Sequence, residues 1–335
     1  MSTRFWIWEL NADDPRGFRP GAPDADGGDA DLRYFLGVAE ALEPLLDEDV
    51  PCVLITWHLD RFDERFRDAV VLLINDEQYQ LPSFAGQVRA VFKTGGTARN
   101  PWRETLGLHP AIASRTVLRE LRNIGRSVRR RVQTTQTRGA PVYAIPLGFF
   151  RLTDVPLVPF AAREHDVFFA GSIESTRGLT LRPRLIARRQ MAEALARART
   201  QLPAMTVDYS NGGPMANPDA MVDGDVYSQR LSQARIVLCP RGNFDETYRL
   251  MEAARSGCVA VTERLPSRWY HRDAPVVELD RWAALTPVLE ELLADPAALA
   301  ERGDAMRRWW TETLSEEAIA RYIAVRLGCA TVPVP

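Results

Sequence analysis

The chain has 335 residues, 46% hydrophobic and 26% charged, with 42 basic against 44 acidic residues and a net charge of −2. Such a length suits two domains with sizeable buried cores, and such a composition excludes long disorder, a collagen-like repeat and a disulfide-stapled mini-protein. Near-neutral charge gives no bulk attraction to nucleic acid. The longest apolar runs, such as 70–74, fall far short of the ~20 residues of a membrane-spanning helix.

From the N-terminus, 1–9 reaches an acid before the apolar core of a signal peptide has formed, so a soluble, cytoplasmic protein is expected. Short β-rich runs then alternate with helical patterns, the signature of parallel sheets covered by helices. Strands are predicted at 5–10, 52–58, 70–75, 89–94 and 142–146, with helices at 31–46, within 61–68 and at 114–131. The Pro-containing stretch 151–163 reads as a linker. A second set follows, with strands at 167–171, 205–209, 235–240, 258–262 and 276–279. Helices are predicted at 184–199, 227–233, 247–255, 283–293, 296–314 and 316–327. The fold class is therefore α/β, with two Rossmann-like domains whose parallel sheets face each other across a cleft. Residues 1–150 are expected to form a first domain and 164–310 a second; 311–335 are expected to form a C-terminal helix and tail that can pack back on the first. The four cysteines, Cys52, Cys239, Cys258 and Cys329, are far apart and without metal-ligand spacing, so reduced thiols are expected.

The most informative stretch is 235–262, which divides into strand, loop, short helix, Gly257 and strand. The loop 240–245 carries Pro240 and Gly242 just past a strand end, where backbone can approach a ligand closely. Asp245 is a candidate N-cap for the helix after it, whose free N–H groups and positive dipole end favour a phosphate. Arg249 and Glu252 lie three residues apart on that helix. A guanidinium holds phosphate oxygens bidentately, and a carboxylate accepts both hydroxyls of a ribose. The alternative from spacing alone is an i,i+3 ion pair on an exposed helix face.

The run IVLCPRGNFDETYRLMEAARSGCVAVT resembles the C-terminal signature of exostosin-type glycosyltransferases: an apolar strand, C-P-x-G, a polar loop, R-x-x-E-A, a small-G-C step and a second apolar strand. FFAG at 168–171 resembles the strand that opens the family's second domain, and IPLG at 145–148 the motif that closes its first. The resemblance covers 141–262. It implies a GT-B fold, with the acceptor assigned to the first domain and the donor to the second. It also implies transfer of a sugar from a nucleotide-diphosphate-sugar, a UDP- or GDP-sugar, to a hydroxylated acceptor (glycan, lipid-linked or small molecule), as in glycan biosynthesis. By that resemblance Glu252 binds the ribose and Arg249 sits near the diphosphate, with Arg241 and Gly242 lining the pocket. Gly171 and Ser172 face the phosphates, and Arg188 or Arg189 is the cation beneath them. Many eukaryotic members carry a membrane anchor; this chain is expected to be a compact bacterial relative without one.

Inversion at an anomeric carbon requires a base on the first domain. Asp76 and Glu77, just past the strand at 70–74, stand where this fold class places chemistry, the alternative being a polar turn. His58 and Asp60 form a competing site, although a lone histidine beside tryptophan also suits a structural role. The sole lysine opens a glycine-rich loop, 93–97, that lacks Walker spacing and reads as lining the cleft. Arg115, Arg119, Arg122, Arg126 and Arg129, followed by Arg130 and Arg131, make a stripe if 114–131 is helical. It offers a peripheral contact with anionic membrane or acceptor, or is a solvated face; no nucleic-acid partner is expected. The D-x-D pairs Asp24/Asp26 and Asp223/Asp225 lack the further ligands of a metal site, so no metal or other cofactor is expected beyond the donor co-substrate. Two rival functions remain at this stage: a nucleotide-sugar epimerase or hydrolase using the same pocket, and a non-catalytic protein that binds anionic surfaces through the arginine stripe.

Overall fold

Runs of Val, Leu and Ile build the first sheet. The computed structural model describes residues 4–22, 32–74, 80–96, 110, 113–114, 117–118, 121, 140–150, 152–173, 183–211, 224–242 and 245–330. The first six strands are Phe5–Trp8 (β1), Arg16–Phe18 (β2), Val53–Thr56 (β3), Val70–Leu73 (β4), Ala90–Thr94 (β5) and Val142–Ile145 (β6). They pair in the order β2-β1-β3-β4-β5-β6, all parallel except β2, which runs antiparallel to β1. β3 and β4 are buried along their whole length, as an unbroken apolar run covered on both faces must be. The helix predicted at 31–46 is shorter, Arg33–Leu42 (α1), and ends in a 3-10 turn, Glu43–Leu45, around Pro44, whose missing N–H breaks the α pattern. Within 61–68 only a 3-10 turn forms, Glu64–Phe66, opened by Asp63 accepting from the Arg65 amide at 2.9 Å.

The second sheet contains His165–Ala170 (β7), Val207–Ser210 (β8), Ala234–Cys239 (β9), Val259–Glu263 (β10) and Val277–Leu279 (β11), all parallel, in the order β11-β10-β9-β7-β8. Pro183–Gln201 (α2) links β7 to β8, and Gly224–Ser232 (α3) links β8 to β9; Tyr248–Arg255 (α4) joins β9 to β10. From β7 the chain first steps outward to β8 and then back across to β9. The order reverses between β7 and β9, and such a switch point opens a crevice at the carboxyl ends of those two strands.

Leu285–Ala294 (α5) and Pro296–Trp309 (α6) follow; α6 runs into a π turn, Trp310–Leu314, and Ser315 caps the last helix, Glu316–Leu327 (α7), by accepting from the Ala318 amide. That helix lies against α1, and its Tyr322 stacks on Trp269 with ring centroids 4.2 Å apart. Buried side chains form one continuous core across both halves, from Phe5 and Phe92 to Phe168, Met306 and Ile323. Gly148 fits here because its φ is +73° and a Cβ would overlap the Tyr34 ring. The Tyr34 hydroxyl in turn donates to the Leu314 carbonyl at 2.5 Å. Among the described residues no helix is long and apolar enough to cross a membrane, and the four cysteines are free.

Candidate functional site

The crevice at the ends of β7 and β9 collects cations. Arg249 projects from the first turn of α4 and is 8% exposed. Its guanidinium lies over the Phe169 ring, 4.7 Å from the centroid, and Nη2 donates to the Ala170 carbonyl. Arg249 Nε and Nη1 are buried without an acceptor. Arg188, from α2, donates through Nη1 to the Ser172 carbonyl at 2.9 Å, while its Nε is also buried without an acceptor. Burial first, and then the positive charges of Arg249 and Arg184, pull Arg188 down to about 9. Gly171 lies between them, where a Cβ would stand 2.7 Å from Arg249 Nη2, so the strand end must be bare for the arginine to reach it. Among the described residues neither Arg188 nor Arg249 is ion-paired with a carboxylate. The ring face offsets part of the desolvation of Arg249, but an anion with several oxygens would complete both guanidinium forks.

Glu252 is 4% exposed and lies about one turn further along α4. Its Oε1 accepts from the Phe150 amide at 3.2 Å and its Oε2 from the Tyr227 hydroxyl at 2.6 Å. Burial, and after it the Glu252 charge, push Tyr227 well above 10, so the hydroxyl keeps its proton. Arg249 and Glu252 are thus both buried and bonded elsewhere. The surface ion pair that their spacing allowed is not what forms.

Other predicted residues fall differently. Of the two candidates on α2, Arg188 belongs to the cluster and Arg189 is exposed to solvent. Asp245 does not cap α4; Thr247 holds the N-cap position without a side-chain cap, and Asp245 instead pairs with Arg241 inside the loop. The Arg241 amide donates to Glu263 Oε2 at 2.7 Å, so Arg241 and Gly242 shape the loop after β9, with the Arg241 charge committed internally. Burial raises the Glu263 carboxyl, against the lowering influence of Arg241.

His58 is a fixture of the first sheet. Its Nε2 lies 3.0 Å from the Glu9 carbonyl, its ring meets Trp8 edge-on at 5.0 Å, and burial lowers its pKa. Lys93 is fully buried, and its Nζ donates to the Gly96 carbonyl at 2.9 Å, stapling its own loop. Asp76, Glu77, Asp24, Asp26, Asp223 and the arginines from 115 to 131 lie outside the described residues. Among the described residues no group of three or more His, Cys, Asp or Glu could hold a metal ion.

Sequence reasoning missed Tyr227 and the Phe150 amide. Neither carries a signal, because Tyr227 meets Glu252 from 25 residues away and Phe150 contributes only backbone.

No protein-family model matches the chain, and no curated protein matches it. Similar solved structures exist. The pneumococcal O-GlcNAc transferase GtfA in complex with UDP and GlcNAc is 13% identical, with 88% of this chain and 60% of that one covered, at a TM-score of 0.47. A glycine-to-arginine mutant of S. aureus TarM, in complex with fondaparinux, alpha-GlcNAc-glycerol and UDP, is 13% identical over 87% of this chain and 58% of that one, with a TM-score of 0.45. Sucrose-phosphate synthase from Thermosynechococcus elongatus is 14% identical over 82% and 72%, with a TM-score of 0.42. The chain spans about 60% of the length of the first of these.

Proposed function

We propose that the chain is a glycosyltransferase of the GT-B type, exostosin-like, which moves a sugar from a UDP- or GDP-sugar to an acceptor hydroxyl. The observation that carries this reading is the pair of buried guanidiniums, Arg188 and Arg249, with donors left unsatisfied at a topological switch point beside a buried carboxylate. A nucleotide-diphosphate-sugar matches each part: the diphosphate takes the guanidinium donors and the ribose hydroxyls take Glu252. As the bond between the anomeric carbon and the diphosphate oxygen breaks, negative charge builds on that oxygen, where fixed cations stabilise it most. In an inverting reaction the acceptor oxygen attacks from the opposite face and its proton passes to a carboxylate, for which Asp76 and Glu77 are the candidates. The arginines supply the leaving-group charge without a metal. The enzyme is proposed to act in the cytoplasm, where the arginine stripe offers a peripheral contact with anionic membrane.

Calorimetric titration and thermal shift with UDP and GDP test the reading. At least one raises the unfolding midpoint of the protein, and Arg249→Gln and Glu252→Ala each weaken its binding by about tenfold or more while remaining folded. A protein indifferent to every nucleoside diphosphate is not this enzyme.

A further inference from the structure

Both Glu252 oxygens are already engaged, and the manner of engagement bears on what the site selects. Each carboxylate oxygen has two lone pairs. The Phe150 amide takes one on Oε1 at 3.2 Å and the Tyr227 hydroxyl one on Oε2 at 2.6 Å, leaving one on each oxygen. The Tyr227 ring is itself fixed, edge-on to Phe168 with centroids 5.8 Å apart. Three separate elements therefore set the plane of one carboxylate: α4 carries it, α3 supplies the phenol, and the segment after β6 supplies the amide.

We infer that Tyr227 is a positioning residue: by donating to Glu252 Oε2 it turns the two remaining lone pairs toward neighbouring hydroxyls of a ribose, so that the pocket selects ribonucleoside over deoxyribonucleoside diphosphates. The inference rests on the donor-pocket reading above. A single free lone pair would bind one hydroxyl and discriminate weakly. Two, held side by side, require both the 2′ and the 3′ hydroxyl, and the deoxy form leaves one desolvated oxygen unpaired. Because the phenol is protonated throughout the working range of pH, it remains a donor and never repels the carboxylate.

Titration of the full chain with UDP, dUDP and inorganic pyrophosphate, with GDP and dGDP in place of the uridine pair should GDP bind more tightly, separates the contributions. The wild-type protein prefers the ribose form by about tenfold or more. In Tyr227→Phe, which keeps the ring on Phe168, ribonucleotide affinity falls by about tenfold, the preference collapses toward unity and pyrophosphate binding is unchanged. Tyr227→Met, a second side chain without a hydroxyl, gives the same pattern and covers poor folding of the first. A preference equal to wild type in either folded variant reduces Tyr227 to a structural role and overturns the inference, as does a wild-type protein that binds both forms alike while still binding pyrophosphate. Absence of pyrophosphate and nucleotide binding alike removes the donor pocket itself.

Discussion

Arg188 is the residue on which function and stability pull hardest against each other. Its folded-state pKa, about 9, lies well below the ordinary arginine range because burial, Arg249 and Arg184 all disfavour the charged form. A base depressed in this way destabilises the fold wherever it is charged in both states. The cost is fully present below about pH 9 and fades as the pH rises beyond it toward the ordinary arginine range. Arg188→Met is therefore expected to raise the unfolding midpoint of the free protein at neutral pH by a few degrees, about 2–4 °C per kcal/mol relieved, and, on the proposed function, to remove any stabilisation by nucleotide. On the proposed function, nucleotide affinity of the wild type is expected to fall as the pH rises through about 9, because the neutral side chain no longer attracts a diphosphate. Scanning fluorimetry with and without nucleotide, at pH 7 and 10, checks both signs. At this scale the sequence foretold that Arg249 and Glu252 share one short helix, since both lie in a recognisable run. Their partners were illegible, because a hydroxyl from α3 and an amide from another segment leave no local pattern.

Among the elements, α4 bears Arg249 and Glu252 of the candidate site and has only eight residues, too few to hold a helix in water alone. Its carboxyl end is secured by Arg163, 5% exposed, which donates to the Ser256 carbonyl at 2.8 Å, to Gly257 at 3.1 Å and to Ala234 at 2.7 Å. A cation at that end also complements the helix dipole. Arg163→Met leaves these carbonyls buried without donors and is expected to cost about 3 kcal/mol. Urea denaturation reads that loss, and on the proposed function titration of the folded fraction is expected to show weaker nucleotide binding, because α4 carries both Arg249 and Glu252. Arg163 sits at the end of a stretch that reads as a linker, and nothing in its neighbours announces a helix clamp. Long elements were easier to foresee. β3, β4, β7 and β9 appear as apolar runs, and α6 and α7 as periodic patterns closed by Ser315 and Gly328. β2 did not, since three residues, Arg-Gly-Phe, show no alternation; its pairing with β1 supplies the order.

For the molecule as a whole, the alternation of strand and helix was enough to anticipate two mostly parallel sheets, because buried parallel strands need helices on both faces. The strand order was not, since it depends on which edge each crossover returns to. The union of the halves rests on contacts distant in sequence: α7 against α1, Trp269 donating from its indole to the Ala144 carbonyl at 2.7 Å, and the Tyr34 hydroxyl donating to the Leu314 carbonyl. Lys93 lies inside this assembly, the only lysine in the chain and wholly enclosed. Its amine is consequently a built-in reporter of opening. An acylating dye should modify that side chain slowly in the native protein, at a rate limited by exposure events, and rapidly once denaturant is added. Peptide mass mapping after timed labelling follows this directly, and prompt modification in native buffer would mean that the first sheet opens far more readily than its burial implies.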